Sequence, residues 1–182
     1  MVNDKKTLCV AIPTFNKHEN IQRKLESEIA VFNKYDIDIY IFDSSSDSLT
    51  EEVIEDYSKK GYSNIFLKKY NNNPSSNEKV YRIFEWAAEA GYEYLWMIHD
   101  HTVCNEEAIV FLMNILKSEK NDFLLLNMQA SDYKTEKFNK INDFLLKGAW
   151  RLNSFGASIV KTDTFLGGVD WTFMRRKYGD NK

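Results

Sequence analysis

Leu8-Cys9-Val10-Ala11-Ile12-Pro13-Thr14-Phe15-Asn16 is the stretch that decides the fold. Its first five residues are all apolar, and the run ends at a proline. A short unbroken apolar run suits a strand buried on both faces, as in a parallel sheet. Asn16 can cap the next helix, with Glu19 three residues later at capping-box spacing. That helix is expected over 17–34, with Ile21, Leu25, Ile29 and Phe32 on one face.

Working outward, Ile37–Phe42 reads as a second strand, ended by Asp43 and the cluster Ser44-Ser45-Ser46-Asp47. A helix over 49–59 stops at Gly61, and 65–67 is a third strand. Residues 70–77 form a polar loop, followed by a helix over 79–90 closed by Gly91. A fourth strand, 94–98, ends at His99-Asp100-His101. A helix over 106–117 and a fifth strand over 123–126 follow. Strands alternating with helices predict an α/β fold, a mainly parallel sheet with helices on both faces. The last third is less regular: 131–147 reads as partly helical, 158–160 as a short strand, and Gly167-Gly168 as a turn.

Bulk properties narrow the class. A chain of 182 residues suits a single domain over 1–182, large enough to fold without disulfide or metal staples. The net charge of −3 speaks against a nucleic-acid partner, which would call for a basic surface. Cys9 and Cys104 are isolated, which fits neither a disulfide framework nor a zinc knuckle and points to a reducing compartment. No signal-peptide pattern opens the sequence. No apolar run approaches the ~18 residues that span a bilayer. A cytoplasmic protein is expected, able to sit at the inner face of the membrane through a partner.

In an open parallel sheet, ligands bind at the carboxyl ends of the strands. Three polar clusters fall there: Pro13–Asn16, Asp43–Asp47 and His99–Thr102. Each has a plain alternative, since Asn16 and Asp47 can serve as helix caps and Asp100 as a turn residue with its histidines packed locally. Asp and His are also both metal ligands, and Asp100 at this edge could hold a divalent cation against a diphosphate. No Gly-rich phosphate loop follows the first strand, against the P-loop and dinucleotide-binding classes and against a nucleotidyltransferase.

Taken together, these stretches resemble family 2 glycosyltransferases. Val10-Ala11-Ile12-Pro13-Thr14-Phe15-Asn16 with Glu19-Asn20 is similar to the family's opening. Ile41-Phe42-Asp43-Ser44-Ser45-Ser46-Asp47 is similar to its second-strand aspartate and turn, and Ile98-His99-Asp100-His101 falls where the family has its Asp-x-Asp signature. The resemblance covers about 7–130, with 56 residues between Asp43 and Asp100. It implies a GT-A fold and transfer of sugar from a nucleoside diphosphate sugar, by default a UDP-sugar, usually with inversion. Residues 7–130 would be the nucleotide-sugar-binding half and 131–182 a partial acceptor-side region. By position, Pro13, Thr14, Phe15 and Asn16 would line the nucleoside pocket and Asp43 would accept from the base. Asn77 and Lys79 would approach the donor, and Asp100 with His101 would hold the metal.

Two departures matter. Asp-x-Asp reads His-Asp-His, and imidazole suits Mn²⁺ better than Mg²⁺. Inverting transfer also calls for a carboxylate base. The family carries it in an acidic pair downstream of a Gly-Gly-apolar-Asp stretch. Here Gly167-Gly168-Val169-Asp170 is present without the pair, leaving Asp170 as the base, or as the end of a turn in a chain whose acceptor half is truncated or reduced. The expectation is a metal-assisted glycosyltransferase acting on a cell-surface glycan or lipid-linked acceptor. The alternative is a non-catalytic nucleotide-sugar-binding domain.

Overall fold

In the computed structural model, residues 6–102, 104–118, 123–126, 135–138 and 158–162 are described. The elements run β1 (Lys6–Thr14), α1 (His18–Lys34), β2 (Asp38–Asp43), α2 (Leu49–Lys59), β3 (Ile65–Lys69), α3 (Ser76–Glu89), β4 (Tyr92–Met97), α4 (Glu106–Ser118), β5 (Phe123–Leu126), β6 (Thr135–Phe138) and β7 (Ser158–Lys161).

The seven strands of the described residues form one sheet in the order β3-β2-β1-β4-β7-β5-β6. β3, β2, β1 and β4 are parallel neighbours. β7 inserts between β4 and β5, antiparallel to both, and β6 pairs antiparallel with β5. The sheet is thus a four-stranded parallel half joined to an antiparallel half. The part of 131–147 read as partly helical includes β6, a strand.

The apolar run of β1 is buried on both faces, as expected. Leu8, Val10 and Ile12 join one core with Ile39, Ile41, Tyr94 and Trp96, under α1, α2 and α4. Cys9 and Ala11 face the other core, with Phe42, Leu95 and Met97 under Ile83, Phe84 and Ala87 of α3. On α1, Ile21, Leu25, Ile29 and Phe32 are buried, each contributing about 1.5–3 kcal/mol by removal from water. Both thiols are sealed in these cores. Burial pushes Cys9 well above the ordinary thiol range and Cys104 up to about 12, so neither is a ready nucleophile.

The helix ends follow local chemistry with two surprises. α2 closes in a Schellman motif: Gly61 adopts φ +94°, its N–H bonds Ser58 O, and Tyr62 N–H bonds Tyr57 O. α3 starts earlier than expected, because Ser75 caps it by accepting from the Glu78 N–H at 3.3 Å. Asn16 does not cap α1. The N-cap is Lys17, with no side-chain cap, and Asn16 takes the left-handed conformation at φ 53°.

Candidate functional site

The strand order reverses at β1: β2 and β3 lie on one side of it and β4 on the other. The crevice at the carboxyl ends of β1 and β4 is therefore the topological switch point, where open α/β sheets bind ligands. The first two clusters meet at the ends of β1 and β2, and the third follows β4, whose end is tied to β1 by the Ile98 N–H donating to Ala11 O at 3.0 Å.

The β1 and β2 ends are tied together. Thr14 and Asp43 are register partners, and Ser44 N–H donates to Thr14 O at 3.1 Å. Asp43 is fully buried. Its Oδ1 accepts from the Ser45 N–H at 2.9 Å and the Ser45 hydroxyl at 2.5 Å. That hydroxyl in turn accepts from the Asn16 N–H at 2.7 Å, which explains why the chain turns left-handed there. Asp43 Oδ2, Thr14 Oγ1 and Ser44 Oγ are buried with no partner in the protein. Leaving such a group unpaired costs about 1–3 kcal/mol, and these three occupy adjacent positions of one sheet edge.

Around this polar floor, Phe15 is 44% exposed. Lys79 of α3 reaches over it, with Nζ 5.7 Å from the ring centroid and 2.8 Å from Asn73 Oδ1. Burial lowers the Lys79 pKa, while the charge of Asp43 acts to raise it. Pro13 is half-buried beside Thr14. Asn77 falls in the first turn of α3, and its side chain lies outside the described part.

At the end of β4, His99 and His101 stack at 5.3 Å with their rings 10° apart. Asp100 points between them and α1: its Oδ2 accepts from Asn20 Nδ2 at 3.1 Å, and its Oδ1 lies 3.0 Å from His101 Nδ1. Burial and the neighbouring His101 lower the His99 pKa, with Asp100 opposing. A cleft of about 210 Å³ opens here, lined by Asn20, Arg23, Lys24, Asp100, His101 and Thr102 among others. Among the described residues, no group of three or more His, Cys, Asp or Glu side chains converges as a metal cluster. Asp170 and Gly167-Gly168 lie outside the described residues.

Two residues beneath this loop carry no site motif in the sequence. Lys24 and Glu28 form an ion pair at 2.8 Å, with side chains 3% and 1% exposed. Lys24 Nζ also donates to Thr102 O, and Glu28 Oε1 accepts from the Cys104 N–H at 2.8 Å. A signal for them exists all the same: an i, i+4 pair of opposite charge lying inside the apolar stripe of α1, where charges are rarely buried.

The fold places the chain among solved glycosyltransferases. S. aureus TarS 1–349 matches at 18% identity and TM-score 0.58, covering 86% of this chain and 47% of that one. The same protein in complex with UDP-GlcNAc matches at 19% identity and TM-score 0.58, covering 86% and 45%. Mannosyltransferase PcManGT from Pyrobaculum calidifontis, in complex with GDP-Man and Mn²⁺, matches at 13% and TM-score 0.53, covering 66% and 35%. At these identities the likeness is one of fold, and it defines the class: a GT-A fold. Residues 9–181 match the sequence pattern of glycosyl transferase family 2, and the chain belongs to that family. It spans less than half the length of these TarS chains. No curated protein sequence matches it significantly. No helix among the described residues is long and apolar enough to cross a membrane.

Proposed function

We propose that this domain binds a nucleoside diphosphate sugar across the carboxyl ends of β1, β2 and β4 and transfers the sugar to an acceptor hydroxyl. One observation carries the reading: Asp43 is wholly buried at the sheet edge with one carboxylate oxygen lacking any partner. A nucleobase N–H is the kind of donor that oxygen lacks. Uracil offers one, and the TarS structure with UDP-GlcNAc supports a UDP-sugar as donor. Pro13, Thr14, Phe15 and Asn16 then line the nucleoside, with Phe15 offering a ring face, and Lys79 and Asn77 approach from α3.

Asp100 and His101 fit a divalent cation. The two side chains lie together, Asp100 Oδ1 3.0 Å from His101 Nδ1, and a carboxylate oxygen and an imidazole nitrogen are donors that would hold such an ion. Imidazole favours Mn²⁺ over Mg²⁺, and PcManGT was solved with Mn²⁺. When bound, the ion would supply positive charge to offset the charge of the diphosphate leaving group. In inverting transfer, the acceptor oxygen bonds the anomeric carbon as the bond to the diphosphate breaks on the opposite side. The hydroxyl proton passes to a carboxylate, for which Asp170 is proposed. The acceptor class we propose is a cell-surface glycan or its lipid-linked precursor, made in the cytoplasm at the inner face of the membrane.

A thermal-shift panel of nucleosides, nucleoside diphosphates and nucleotide sugars, with and without Mn²⁺, tests the binding step. UDP at 100 times its dissociation constant adds about 2.7 kcal/mol, or roughly 5–10 °C for a chain of this size. No shift with any nucleoside diphosphate at millimolar concentration would sink the reading. Release of free sugar from the donor then separates a transferase from a domain that only binds.

A further inference from the structure

We infer that the buried Lys24–Glu28 pair is a positioning device for the Asp100 loop, holding the diphosphate half of the site to α1 independently of the nucleoside half. Asn20, Lys24 and Glu28 stand four residues apart on one face of α1, each about 6 Å further along the helix axis. Each makes one bond to the segment leaving β4: Asn20 to the Asp100 carboxylate, Lys24 to the Thr102 carbonyl, and Glu28 to the Cys104 N–H. The segment is thus fastened at three points to a helix whose own apolar face is locked into the core.

Stability alone does not account for the pair. Removing two charges from water is expensive, and well-packed apolar residues in place of a buried ion pair are often equally stable or more so. An apolar pair could not supply the other bonds these charges make. Lys24 donates beyond Glu28 to Thr102, and Glu28 accepts beyond Lys24 from Cys104. A loop that must present Asp100 in a set position gains from such fastening, because a ligand held loosely loses productive geometry. The nucleoside side has its own fastenings, which run through Ser45 rather than through α1.

The proposal rests on the nucleotide reading above, and the test keeps the two apart. UDP affinity is measured by calorimetry with Mn²⁺ and with EDTA, for the wild type, Lys24→Met/Glu28→Leu, and Lys24→Met/Glu28→Gln. The first variant removes both charges and both backbone bonds. The second also removes the ion pair but keeps an acceptor for Cys104, so of the two backbone bonds it drops only the one to Thr102. We expect the first to reduce the Mn²⁺-dependent gain in UDP affinity about fivefold, while its affinity in EDTA stays within twofold of wild type. The second should lose about threefold and carries the comparison if the first does not fold. A purely structural role would weaken both conditions alike. Equal losses with Mn²⁺ and with EDTA, or no loss in either variant, overturn the positioning role. A wild type that binds no UDP in either condition removes the nucleotide reading and this proposal together, an outcome distinct from a wild type that binds and variants that match it.

Discussion

The two edges of the sheet handle buried aspartates in opposite ways. At the amino edge, Asp38 opens β2 and is 3% exposed. Its Oδ2 accepts from Lys6 Nζ at 2.5 Å and from the Tyr92 hydroxyl. The Tyr92 hydroxyl also lies 3.1 Å from that of Tyr40. Burial and hydrogen bonds to Asp38 and Tyr40 raise the Tyr92 pKa far above the ordinary phenol value, so it stays a donor. At the carboxyl edge, Asp43 ends the same strand, more deeply buried, with one oxygen bound to Ser45 and the other to nothing. Other unpartnered buried atoms occur singly, as at Thr50, Asn64 and Trp96. At the carboxyl edge they occur together. A network that closes on itself holds the fold; a network left open at the switch point is shaped for something the chain does not contain.

That contrast can be broken by exchanging stability for binding at each edge. The largest expected effect is on Asp38→Ala. It strips an acceptor from two hydrogen bonds and should cost about 3 kcal/mol of stability, a fall of roughly 6–12 °C in melting temperature. Its UDP affinity should match wild type. Next, Asp43→Ala should lose about 2 kcal/mol of nucleoside binding, or roughly 30-fold, with stability changed by no more than ~1 kcal/mol. Calorimetry of uridine beside thermal melts reads both. If Asp43→Ala melts far lower and binds normally, the carboxyl edge is structural after all.

Two smaller effects sharpen the division within the carboxyl edge. Asp100→Ala should leave uridine binding alone and remove a Mn²⁺-dependent gain of about tenfold in UDP affinity, near 1.4 kcal/mol. A matching loss for uridine would merge the two halves of the site. The smallest effect is on metal choice. His101→Asp exchanges a nitrogen ligand for oxygen and should move the Mn²⁺/Mg²⁺ preference about threefold toward Mg²⁺. An unchanged preference removes His101 from the metal.

What is readable in the sequence follows the range of the forces involved. The β1 run, the stripe of α1 and the glycines ending α2 and α3 are local, and element order through β4 comes from them. So does the meeting of Thr14 and Asp43, because parallel neighbours bring their carboxyl ends together. Asn16 misleads as a cap because its N–H is claimed by Ser45, a contact across 29 positions. Ser75-x-x-Glu78 carries a capping signal that the run Asn71-Asn72-Asn73 obscures. The insertion of β7 between β4 and β5 is not readable at all. It depends on pairings such as Leu95 with Val160, which no local pattern encodes. The Lys24–Glu28 pair is visible as an oddity, but its targets on the loop are backbone groups and leave no trace in residue identity.

The central place of β1 also has a consequence in time. One edge of this strand pairs with β2, register partners Cys9 and Asp38, and the other with β4, Cys9 beside Leu95. During synthesis at 5–20 residues per second, the second edge waits for 86 further residues after Cys9, roughly 4–17 s. Throughout that interval β1, with its apolar run Leu8–Ile12, presents an unpaired row of backbone groups. Such an edge is a template for pairing with other chains. The strand that organises the binding crevice is therefore also one that needs protection while the protein is being made.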